Sequence, residues 1–116
     1  MKENLKQLQD RGALGGMLVE KFGGERGSTS PSQDSDFLII YKDESRVPTA
    51  LAIRLEVDTF FQSRGFTMMR PSLTDNTYTV SAEDLSKEGL GLVINITVGY
   101  PWGSTHNSIR VTTQIR

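Results

Sequence analysis

From residue 66 onward the sequence alternates apolar and polar side chains with period two, and no other feature limits the possible folds as strongly. Leu90, Leu92, Ile94, Ile96, Val98 and Tyr100 share one face opposite Gly91, Val93, Asn95, Thr97 and Gly99. Ile109, Val111, Thr113 and Ile115 repeat the pattern. Shorter alternations run through Phe66, Met68 and Arg70, before Pro71, and through Tyr78, Val80 and Ala82. A period of two is the repeat of a half-buried β-strand. Four such strands with short polar connections predict antiparallel hairpins, with one face on a core and a second face of Thr, Ser, Asn and Arg turned to water. A sheet of this kind needs a layer over its apolar side.

The first half of the chain supplies that layer. Leu5, Leu8, Leu14, Met17, Leu18 and Phe22 recur at three- and four-residue steps, which predicts a helix over 2–22. Gly12, Gly15 and Gly16 lie inside it and each costs on the order of 1 kcal/mol relative to alanine, so a break is expected near Asp10 to Gly12. Gly23 and Gly24 are the expected stop. Residues 23–35, GGERGSTSPSQDS, hold small polar turn-formers with no apolar group to bury and read as a flexible loop. The continuous apolar run from Phe37 to Tyr41 predicts a strand covered on both faces, at the centre of the sheet. Residues 48–64 read as a second helix, with Pro48 in its first turn and Ala50, Ile53, Val57, Phe60 and Phe61 on one face. A strand reading would instead align Ile53, Leu55, Val57, Thr59 and Phe61. The helix is preferred, because a stop over Gln62 to Gly65 comes just before a better strand. The order α-β-α-β-β-β-β predicts an α+β two-layer sandwich, an antiparallel-rich sheet with both helices on one face.

Composition sets outer bounds. A chain of 116 residues with 36% hydrophobic content holds one modest core, so residues 1–116 are expected to form a single domain. Thirteen Lys plus Arg against fourteen Asp plus Glu leave a net charge of −1, so no basic surplus attracts nucleic acid or anionic lipid. The absence of cysteine excludes disulfides and thiolate metal sites and says little about compartment. Met1 to Glu20 contain no unbroken apolar segment of the signal-peptide type, and no stretch approaches the ~20 apolar residues of a membrane span. As written the chain is expected to be soluble. Met1 fits a native start equally well as an initiator replacing an export signal, in which case the protein is extracytoplasmic.

One spacing bears on catalysis. Phe22, Gly23 and Gly24, then Asp34, Ser35, Asp36 and Phe37, resemble the signature of the nucleotidyltransferase superfamily, in which a Gly-rich turn precedes two aspartates one residue apart at a strand start. That chemistry needs two carboxylates converging on Mg²⁺ bound to a triphosphate, and a turn whose backbone N–H groups approach the phosphates. The resemblance implies Gly23 and Gly24 as the phosphate turn and Asp34 and Asp36 as Mg²⁺ ligands. The family has an apolar residue where this chain has Ser35, and a third carboxylate on a later strand, for which 66–70 offers none. The plainer reading makes Gly23 and Gly24 a helix stop and leaves Asp34 and Asp36 to solvate a loop and strand edge.

A broader resemblance rests on Arg64, Gly65 and Phe66 after a helix, on the Tyr78-Thr79-Val80-Ser81-Ala82 strand, on a Gly-punctuated hairpin and on a terminal Ile109-Arg110-Val111-Thr112-Thr113 strand. Together these look like the globular domains of uncharacterised actinobacterial lipoproteins. The resemblance implies an envelope-exposed module with no assigned catalysis. Those domains commonly carry a cysteine pair and an N-terminal lipid-bearing cysteine, which this chain lacks.

The remaining candidates cluster at one predicted hairpin end. Tyr100, Pro101 and Trp102 precede Gly103, Ser104 and Thr105, residues too small to enclose an indole, so Trp102 is expected at the surface, where an aromatic can anchor a partner. His106, the sole histidine, lies beside it and has no second catalytic group in view. Catalysis wants several titratable groups in one cleft, and the sequence offers an incomplete carboxylate pair and a lone histidine. The expected function is therefore non-enzymatic binding of a protein or small ligand, with Tyr100, Trp102 and His106 as contact residues and no cofactor. A Mg²⁺-dependent nucleotidyltransferase is the alternative. A structural subunit of an oligomeric assembly, such as a phage tail or neck ring, is a third reading.

Overall fold

The computed structural model describes residues 5–27, 35–86 and 91–115. Two helices, α1 (Leu5–Phe22) and α2 (Ala50–Gln62), cover one face of a six-stranded sheet. The strands are β1 (Glu25–Gly27), β2 (Asp36–Ile40), β3 (Thr67–Leu73), β4 (Thr77–Glu83), β5 (Gly91–Trp102) and β6 (Thr105–Ile115), in the spatial order β1-β2-β6-β5-β4-β3. Every neighbouring pair is antiparallel. The protein is thus an α+β two-layer sandwich with the expected order of elements.

The period-two pattern places the core. Leu92, Ile94 and Ile96 of β5 stand opposite Ile115, Thr113 and Val111 of β6, and their side chains, with Tyr78, Val80 and Ala82 of β4, are buried beneath the helices. Helix α2 buries Ala50, Ile53, Val57, Phe60 and Phe61, the face its 3.6-residue period predicts. The helix starts at Ala50, two residues later than predicted, so Pro48 lies before it and not in its first turn. Thr49 caps it, its hydroxyl accepting from the Ala52 N–H at 3.1 Å. At the far end the Phe66 N–H reaches back to the Phe61 carbonyl at 3.1 Å across Gly65, and the rings of Phe60, Phe61 and Phe66 meet edge to face at 5.0 and 5.5 Å.

Four local expectations are corrected. Helix α1 runs unbroken through Asp10 to Gly12. Its glycines are tolerated because burial of Leu14 and Leu18 stabilises the helix, and Gly15 lets it close on the sheet, since a Cβ there would lie 3.1 Å from the Phe37 ring. Within the segment read as a loop, Glu25 to Gly27 pair with Ile40 to Leu38 as a short edge strand; residues 28–34 lie outside the described residues. Strand β2 is accordingly second from an edge and not central, because the two longest strands, β5 and β6, occupy the middle. Finally, β3 continues through Pro71 to Leu73, with a register shift between Met69 and Ser72 and Arg70 in the left-handed region at φ 53°. β3 is the other edge, where a proline forfeits no ladder bond, and the kink blunts that edge.

Candidate functional site

A concave feature of the described surface lies at the Trp102 end of the sheet. It is a groove of about 780 Å³ lined by the end of α1 (Phe22), the turn into β1 (Gly23, Gly24), Arg26 and the segment where β2 runs out, with Tyr41, Lys42, Arg46 and Trp102 completing it. Its volume falls within the range typical of small-molecule sites. The sheet order creates it. β2 pairs with β6, and β6 turns back into β5, so the tip of the β5–β6 hairpin comes beside the residues that follow Ile40. The anchoring bonds are the Tyr41 N–H to the Asn107 carbonyl at 2.8 Å and the Asn107 side-chain amide to the Tyr41 carbonyl at 2.7 Å.

Each lining group has a definable state. Trp102 is 46% exposed. Lys42 and Arg46 are exposed; Arg46 lies 3.6 Å from Asp43, and Lys42 has no ion-pair partner among the described residues. Arg26 stacks on the Phe37 ring, 4.3 Å from its centroid. Three cationic side chains thus face this groove against one carboxylate, Glu25, on a chain whose net charge is −1. Tyr41 is 4% exposed, and its buried hydroxyl has no hydrogen-bond partner among the described residues. Burial pushes its phenol up to about 12, so at neutral pH it remains a neutral O–H donor. Gly24 packs directly on this ring. It sits at φ 85°, and a Cβ would fall 2.8 Å from Tyr41 Cε2 and from Ile39 Cγ2, so both backbone and space demand glycine.

The three expected contact residues separate. Only Trp102 lines the groove. Tyr100 is half-buried on the outer face of the sheet, where its hydroxyl lies 3.4 Å from Arg110 Nη1 and Arg110 sits over its ring. His106 is exposed, but its Nδ1 donates to the Gly99 carbonyl at 3.1 Å and its backbone N–H to the Glu44 carboxylate at 3.1 Å, which ties the hairpin to the 3₁₀ turn Glu44–Arg46.

The aspartate pair is placed in part. Asp34 lies outside the described residues. Asp36 opens β2 and receives two bonds from Arg110, Nη2 to Oδ2 at 2.8 Å and Nε to Oδ1 at 3.1 Å. The Arg110 guanidinium holds its carboxyl below the usual carboxylate range. Gly23 and Gly24 form the C-terminal end of α1, with the Gly23 N–H donated to the Val19 carbonyl at 2.8 Å. A helix C-terminus carries the negative end of the dipole, which disfavours phosphate there. Among the described residues no three His, Asp or Glu side chains lie close enough together to hold a metal.

Sequence reasoning missed Tyr41, Lys42 and Arg46 as site residues. The available signal was an apolar strand that ends in a tyrosine and is followed by the mixed-charge segment Lys42-Asp43-Glu44-Ser45-Arg46. Nothing local joins that segment to Trp102. Comparison with protein-family models, with curated proteins and with solved structures finds no match. No described helix is long and apolar enough to cross a membrane.

Proposed function

We propose that this chain is a non-enzymatic binding module whose ligand sits in the groove beside Trp102. The observation that carries the reading is the coincidence, in one concavity, of the sole tryptophan, nearly half exposed, with the cations Lys42 and Arg46 and with Tyr41, whose buried hydroxyl has no hydrogen-bond partner among the described residues. A half-exposed indole contributes little to the fold and much to an interface, where binding energy concentrates in such side chains. The fixed glycine turn over Tyr41 favours a preformed site, which lowers the ordering cost of association.

The nucleotidyltransferase alternative has less support, because Asp36 is engaged by Arg110 and both glycines end a helix. Millimolar Mg²⁺ with ATP should leave the melting temperature unchanged, since a ligand stabilises only the state it binds. A metal-dependent rise that disappears in Asp36→Asn would restore that alternative.

The test of the binding reading is a fragment screen followed by ¹⁵N NMR. Because the chain has one tryptophan, its indole N–H gives one resonance in the groove. Hits should move that resonance together with the amides of Gly23, Gly24 and Lys42. Trp102→Ala should abolish those hits while changing stability by less than about 1 kcal/mol, far under the ~3–5 kcal/mol of a core tryptophan. A screen whose hits all map away from the groove would overturn the reading.

A further inference from the structure

Resting on that reading, we infer that the groove selects a small aromatic carboxylic acid, with its ring against Trp102 and its carboxylate at Lys42 and Arg46. Three properties of the lining lead there. First, the lining carries three cations, Arg26, Lys42 and Arg46, and one carboxylate, Glu25, with Asp43 beside Arg46, although the chain as a whole is slightly acidic. Arg26 is engaged with the Phe37 ring and Arg46 is near Asp43, so Lys42 is the cation with most to gain from an anion. A charge-assisted hydrogen bond of that kind is about twice as strong as a neutral one.

Second, the two ends of the groove differ in sign. The α1 C-terminus brings backbone carbonyls and a negative dipole end to Phe22, Gly23 and Gly24. An anion is repelled from that side, and the charged end of a ligand belongs with Lys42 and Arg46. Third, the remaining lining is apolar or aromatic. Phe22, Ile40 and Trp102 offer flat apolar surface and a π-face, which suits a ring. The groove volume, about 780 Å³, fits a small molecule.

The proposal is tested with two isosteres, 3-phenylpropanoate and its neutral amide, 3-phenylpropanamide, titrated into ¹⁵N-labelled full chain. The acid should shift the Trp102 indole N–H and the amides of Gly24 and Lys42 saturably. The amide should bind at the same residues roughly tenfold more weakly, the change expected when one charge-assisted bond is lost. Lys42→Gln should narrow the acid's advantage over the amide severalfold, with Arg46 retaining the remainder. Raising the salt from about 0.05 to 0.5 M should weaken the acid alone, because screening acts on the ionic contact. Equal affinities for acid and amide at the groove would overturn the selection for an anion while leaving the binding reading intact. If neither compound moves a groove resonance, the inference fails, and the binding reading fails with it only if the fragment screen also finds no groove ligand. Lys42 is an exposed residue following the end of a strand, so its substitution does not threaten the fold.

Discussion

Two tyrosines are buried in this core, and their hydroxyl groups meet opposite fates. Tyr78, near the start of β4, is fully buried, and its O–H donates to the Asp58 carboxylate of α2, which also lies 3.6 Å from Arg54. Burial and that carboxylate together push its phenol far above the usual range. Tyr41, at the end of β2, is almost equally buried, yet its hydroxyl has no partner. Leaving a buried polar group unpaired costs roughly 1–3 kcal/mol. The core beneath α2 is therefore closed in both its apolar and polar requirements, whereas the end beneath the Gly23–Gly24 turn is closed in shape only. That difference places the candidate site, since an unmet polar requirement beside a half-exposed indole and the exposed Lys42 is what a ligand site looks like before its ligand arrives.

The largest effect should come from breaking the closed region itself. Leu92→Ala or Ile94→Ala should each cost about 2–5 kcal/mol in denaturant unfolding, because both side chains are fully buried and the site cannot collapse around the cavity. A loss below about 0.5 kcal/mol for both would contradict the packing described. Next in size, Tyr78→Phe should destabilise by about 1–3 kcal/mol, since it removes the donor from a partly buried carboxylate. An unchanged midpoint would place Tyr78 and Tyr41 in the same class and remove the contrast.

A smaller effect is expected on the outer face of the sheet, where Asp36 and Arg110 satisfy each other in the open. Because the folded carboxyl is held below its ordinary value, its contribution is present above the unfolded value of about 3.9 and is lost as the pH falls below that through the folded value. Both side chains are about two-fifths exposed, so the amount is less than about 1 kcal/mol. Unfolding measured from pH 6 to pH 2 should show that small acid-dependent component vanish in Asp36→Asn. An identical acid profile in the variant would mean that the pair contributes nothing.

The contrast also explains which parts of the molecule were legible in the sequence. The buried faces of α2 and of β5 as far as Ile96 follow from periodicity, since a residue's position in a regular element decides whether it points inward, but a register shift between Val98 and Tyr100 turns Tyr100 to the outer face, away from the side its spacing predicts. Glycine proved harder to interpret. In isolation Gly12, Gly15 and Gly16 look like a helix break, but the structure uses Gly15 for close contact with Phe37, a tertiary effect that outweighs propensity. The short strand β1 was hidden for the same reason, because Gly27 lies where a Cβ would meet Ile40 Cδ1 at 2.7 Å. The groove was legible only as one residue. Trp102 stood out as an aromatic among small neighbours, while Tyr41, Lys42 and Arg46 join it through the β2–β6–β5 order, which no local pattern encodes.

The most direct measurement is denaturant unfolding of Tyr41→Phe at neutral pH. The variant removes one oxygen from the buried ring and nothing that the oxygen bonds to, so it should match the parent or gain up to about 1 kcal/mol as the unpaired hydroxyl disappears. A loss of more than about 1 kcal/mol would show that the Tyr41 hydroxyl is bonded in the folded protein, and that the groove end of the core is as complete as the Tyr78 end.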